Sequence, residues 1–181
     1  MGRLGGWSAV TSVAILAACS PSTPAPAPAA ATVPPGWATV STSTRGVQLT
    51  LPPWLIPFDT VNAIFANEQP PPGGSIAVQL RASGPTVDGP APGQDVAGWL
   101  DSYLADPGSG VPVVTAITLP AGPAVRYERI DRAGTHDEWH ILAYGITTPR
   151  GFAYLVIDGS PDGWRRRAAD FEWIARLLRV P

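Results

Sequence analysis

Apolar residues recur at every second position through most of this chain, and at only two places does the repeat lengthen to that of a helix. Val47, Leu49 and Leu51 alternate with Gln48 and Thr50, the pattern of a strand with one buried face. Ala38–Ser43 and Val47–Leu51 therefore predict a hairpin around Thr44-Arg45-Gly46. Pro52-Pro53 stops it, and Trp54, Leu55, Ile56 and Phe58 are expected to pack across a sheet edge. Asn62–Glu68 and Ser75–Ser83 form a second pair around Pro70-Pro71-Pro72-Gly73-Gly74, with Ile76, Val78 and Leu80 on one face. Val113–Leu119, Ala124–Asp131, Glu138–Thr147 and Phe152–Asp158 predict four further strands in an antiparallel meander, divided by Gly/Pro breakers.

The helical period appears first between Gln94 and Asp106, where Val96, Trp99, Leu100, Tyr103 and Leu104 make one apolar stripe. It returns after Ser160-Pro161-Asp162, a helix start with a hydroxyl N-cap, Pro at the first position and an acid in the first turn. This last helix should run to about Arg179, burying Trp164, Ala168, Phe171, Ile174, Ala175 and Leu178. Arg165, Arg166, Glu172, Arg176 and Arg179 face water, with Glu172 and Arg176 spaced for an i,i+4 pair. The order ββββ-α-ββββ-α implies an α+β fold, an antiparallel sheet of about six to eight strands packed with two helices.

The amino terminus belongs to a different regime. One basic residue, Arg3, precedes the apolar run Trp7–Ala18, which is shorter than the roughly 20 residues that span a bilayer and is followed at once by prolines. Residues 1–18 read as a cleaved export signal. Leu16-Ala17-Ala18-Cys19 resembles the bacterial lipobox, which implies cleavage between Ala18 and Cys19 and acylation of Cys19, the only cysteine, by diacylglycerol and palmitate-type chains. The resemblance implies an exported chain anchored in the bacterial membrane by lipid, its domain outside the cytoplasm; two or more acyl chains hold stably where one is marginal. Residues 19–36 then form a Pro/Ala-rich tether, the stretch after Cys19 reaching roughly 50 Å at about 3.1 Å per residue. Residues 37–181 remain as one globular domain.

Gly46-Val47-Gln48-Leu49-Thr50-Leu51-Pro52 followed by Trp54, together with the closing strand and Phe171-x-x-Ile174, resembles the PsbP-like α/β sandwich of photosystem extrinsic proteins and many bacterial lipoproteins. That family contains binding and assembly factors with no shared catalytic residues, so the resemblance implies a binding or assembly role and assigns none of these residues a function.

All 12 basic residues are arginines, set against 14 acids, for a formal charge of -2. Nucleic-acid binding draws on clustered Lys/Arg to neutralise phosphates, and this balance disfavours it. His136-Asp137-Glu138-Trp139-His140 gathers both histidines with two acids and suggests zinc through His136, Glu138 and His140. On one strand, however, the two histidines would stand about 13.6 Å apart, too far for one ion. Asp158-Gly159-Ser160-Pro161-Asp162-Gly163 matches the first half of a calcium loop, but the twelfth position is Ala169 rather than an acid, with Asp170 one place on. No Gly-x-Ser-x-Gly elbow and no Gly-x4-Gly-Lys loop occurs. Trp99 and Trp164 lie on helix stripes, where core packing explains them, whereas Trp37, Trp54 and Trp139 are candidates to line a groove. The expectation is a monomeric, non-enzymatic binding or assembly module of the cell envelope, without a cofactor, whose partner is an envelope protein or a small apolar ligand. The alternatives are a metal-assisted envelope hydrolase at His136/Glu138/His140 and a carrier of an apolar ligand between sheet and helix.

Overall fold

The computed structural model describes residues 32–69, 77–86, 89–90 and 95–181. The expected leader, the junction at Ala18 and Cys19, the first part of the tether, the breaker at residues 70–74 and Ile76 lie outside the described residues.

The expected first hairpin is present. β1 (Ala38–Ser41) pairs antiparallel with β2 (Gln48–Leu51) as a two-stranded sheet of its own. Its turn closes through Thr42, whose N–H donates to the Val47 carbonyl (2.9 Å) and whose hydroxyl accepts from the Val47 N–H (3.0 Å). The next segment departs from expectation: Leu55–Asp59 is a strand, β3, and is itself the edge of the main sheet rather than a cap packed across it. An outer strand pairs on one side only, so it tolerates Pro57, and the pairing slips between Pro57 and Asp59.

β3, β4 (Ala63–Glu68) and β5 (Val78–Thr86) form one antiparallel meander; β6 (Val113–Leu119), β7 (Gly122–Asp131), β8 (Trp139–Thr148) and β9 (Gly151–Gly159) form another, with bounds within two residues of those expected for the last four. They join where β5 pairs antiparallel with β9, giving seven strands in the order β3-β4-β5-β9-β8-β7-β6. A chain leaving β5 for the far edge at β6 must cross β9, β8 and β7, and α1 (Val96–Tyr103) makes that crossing on one face. Asp95 caps it, accepting from the Gly98 N–H at 2.6 Å. Leu100, Val96, Trp99 and Leu104 settle on Tyr127, Ile141, Ala143 and Val156. Gly145 lets the helix sit this close, because a Cβ there would come within 2.3 Å of Val96.

α2 (Pro161–Leu177), capped by Ser160, covers the opposite face. It buries Gly163, Phe171, Ile174, Ala175 and Leu177, while Trp164 is half-buried and Ala168 exposed. At 100° per residue the buried face is turned by roughly 50° from the expected stripe. The cause is a second wall on that side, the β1–β2 hairpin and Trp54: the Trp54 indole donates to Asp170 (2.8 Å), Arg167 lies over its ring (4.6 Å), and Gln48 bridges Arg179. Glu172, expected to face water, pairs with Arg126 of β7 (3.1 Å) rather than with Arg176. Among the described residues no helix is long and apolar enough to cross a membrane.

Candidate functional groove

The rotation of α2 leaves part of the sheet uncovered. On the α2 side, β7 presents Glu128 and Ile130 and β6 presents Val113, its partner opposite Glu128. With Val111 before β6, His140 on β8 and the Trp164 ring on α2, they line an open groove of about 300 Å³. Its apolar lining is unusually open: Val111 is 91% exposed, Val113 64% and Ile130 42%. Trp164 stands on the core, edge-on to Phe171 (4.7 Å), and shows its other side to His140 (5.3 Å).

The charged groups at the rim hold one another. Glu138 accepts from the Gly134 N–H through one oxygen (2.6 Å) and meets His140 Nε2 through the other (2.8 Å). Its carboxyl lies below the usual range because the backbone N–H and then the histidine bond to the ionised form. Arg126 pairs with both Glu128 and Glu172. Beneath them the Tyr144 hydroxyl is buried, and its pKa is pushed up to about 12 by burial and by the charge of Glu172. The result is an apolar trough between two closed ion-pair clusters, suited to an uncharged side chain or a short apolar segment.

No family model and no curated protein matches the sequence. The solution structure of cyanobacterial PsbP (CyanoP) from Synechocystis sp. PCC 6803 is similar to this chain with a TM-score of 0.57, at 14% identity, over 81% of this chain and 93% of that one. The fold is PsbP-like. At that identity the likeness extends to the arrangement of strands and helices and transfers no residue.

Within the PsbP-like frame the candidate residues are dispersed. Glu138 and His140 meet, but the His136 side chain is 92% exposed and pairs with Asp137 (3.1 Å), because Arg132–Asp137 is a turn rather than the start of β8. No group of three metal-binding side chains occurs among the described residues. The calcium-loop residues part company: Asp158 accepts from the Trp139 indole (3.3 Å) on the α1 side, Ser160 caps α2, and Asp162 pairs with Arg165.

The three groove candidates are separated too. Trp37 and Trp54 pack against the core on the α2 side, whereas Trp139 packs with the α1 cluster. Trp164, expected in the core, is at its margin and forms a groove wall. Of Val111, Val113 and Ile130 only Val113 carried a readable signal: Pro112 and Pro120 bracket its seven-residue strand, which is uncharged on both faces.

Proposed function

We propose that this protein is a non-enzymatic binding module of the cell envelope, exported, acylated at Cys19 and held off the membrane by its Pro/Ala tether, which seats an apolar segment of an envelope protein in the groove between α2 and β6–β8. The observation that carries the reading is the exposure of Val111, Val113 and Ile130 around Trp164, in a trough whose neighbouring charges are already paired. Contiguous exposed apolar surface rimmed by polar groups is the usual mark of an interaction site. The PsbP-like fold supports a role without catalysis, since its family supplies binding and assembly factors. A trough of about 300 Å³, at the floor of the usual ligand-pocket range, suits one or two side chains better than a buried lipid.

Two measurements test the reading. Cys19→Ser should abolish palmitate incorporation and release the chain from the membrane fraction; retention would refute the anchor. A photoactivatable residue at Val111 in the anchored chain should give a discrete adduct that Ile130→Asp and Trp164→Ala suppress. An adduct pattern indifferent to both would refute the groove.

A further inference from the structure

The two edges of the main sheet are finished differently. β3 carries Pro57, a slipped register and a terminal Asp59, the devices by which proteins stop an edge from recruiting another strand. β6 carries none of them. Val-Val-Thr-Ala-Ile-Thr-Leu has no charge, proline or glycine, is β-branched at five of seven positions, and has no partner on its outer side among the described residues. Val113–Ala116 and Thr118 are exposed, on one face of the strand or the other. An edge of this composition left open is a template for strand addition.

We propose that β6 pairs antiparallel with β6 of a second copy of this chain, about a two-fold axis at Ala116. Pro112 and Pro120 lack N–H donors and confine pairing to the seven residues between them, and only an axis at Ala116 uses all seven. In that register Val113 faces Leu119 of the second copy, Val114 faces Thr118, Thr115 faces Ile117, and Ala116 faces itself. No charge meets a like charge, and every pair matches an apolar or β-branched residue with another.

The faces match as well. Val113, Thr115, Ile117 and Leu119 lie opposite Glu128, Arg126, Ala124 and Gly122 on the α2 side, and each pairs with a residue of that same set. Both α2 helices therefore lie on one side of the joined sheet. So do both β1–β2 hairpins, from which the tethers depart, an arrangement open to two chains held in one membrane. A seven-residue edge is about 24 Å long, and alone it is small beside the roughly 1,600 Å² of a standard interface. The pairing is therefore concentration-dependent rather than obligate, and it replaces the expectation of a monomer.

The test uses the full chain with Cys19→Ser, which removes its only cysteine, so the outcome does not depend on the lipid anchor. Sedimentation should show a reversible dimer that Val114→Lys, at an exposed position, shifts to monomer. Ala116→Cys in this background should form an intermolecular disulfide under mild oxidation. Thr118→Cys should not, because two copies of residue 118 stand about 13.6 Å apart in this register, beyond the reach of a disulfide. A chain that is monomeric at every concentration overturns the proposal, including one that binds only a foreign β-strand peptide. Equal cross-linking at 116 and 118 reports random collision and overturns it too.

Discussion

Replacing Asp131 with Asn should destabilise the protein by about 3 kcal/mol although it removes no atom volume, because it strands a buried cation. Arg129 is 3% exposed and Asp131 4%. The carboxylate accepts from a terminal nitrogen of Arg129 (3.0 Å) and from the Gly110 N–H (3.0 Å), while Nε lies 2.7 Å from it as an ion-pair contact without a hydrogen bond. The terminal nitrogens also donate to the Tyr127 hydroxyl (2.9 Å) and to the Leu104 carbonyl (2.5 Å) just past the end of α1. The side-chain amide put in place of the carboxylate would keep one acceptor oxygen but turn an NH2 toward the arginine, and the positive charge would lose its buried counter-ion. Breaking such a pair costs about 3–5 kcal/mol; the lower end applies because Asp101, at 3.5 Å but more than half exposed, stays within reach. Urea unfolding should show the loss as a lower midpoint at unchanged slope. Amide exchange in α1 should rise with it, since an eight-residue helix is marginal without tertiary fastening. Arg129→Met with Asp131→Leu removes both charges and should cost less than Asp131→Asn alone, the chief residuals being the orphaned Gly110 N–H and Leu104 carbonyl at about 1 kcal/mol each. A cost below about 1 kcal/mol for the single substitution, or a double variant no better than the sum of its parts, would refute the reasoning.

Gly145→Ala places a methyl within 2.3 Å of Val96 and 3.0 Å of the Phe152 ring, so it should cost about 1–3 kcal/mol, and Val96→Ala should recover part of that in the same unfolding assay. Tyr127, Tyr144 and Tyr154 are each pushed up to about 12 from 10.0, chiefly by burial, so the folded state keeps protons the unfolded state has released. Stability should be whole below pH 10 and fall between 10 and 12; in a Tyr103→Phe background, which leaves these three as the only tyrosines, tyrosinate absorbance should appear only on unfolding, and early absorbance in that folded variant would contradict the burial argument. Asp158 is also raised, by burial, against the opposing pull of the Trp139 indole and Arg81. Its contribution is therefore whole below the ordinary carboxyl range and declines as pH rises through the folded pKa. Asp158→Asn keeps an acceptor for Trp139 and should gain stability over the parent at about pH 7 but not at about pH 3, and a gain equal at both values would exclude titration as the cause.

How much of this was legible in the sequence follows from which forces act locally. β6–β9 and both helices answered to period, and α2 also to its Ser160 cap, because these signals act within a few residues. β3 did not, because Pro57 argues against a strand unless that strand is known to be an edge, and edge position is a property of the whole sheet. The turned face of α2 has the same origin and the larger consequence. Helical periodicity centred the buried stripe on Trp164 and Ala168, yet the β1–β2 hairpin and Trp54, more than a hundred residues earlier in the chain, draw the helix toward Asp170 and Leu177. That turn of roughly 50° frees one side of Trp164. The groove is thus a by-product of a long-range contact. Of its apolar residues Val113 was visible on the uncharged strand between two prolines, but the meeting of Val111, Val113 and Ile130 with Trp164 was not, since nothing local to any of these segments encodes it.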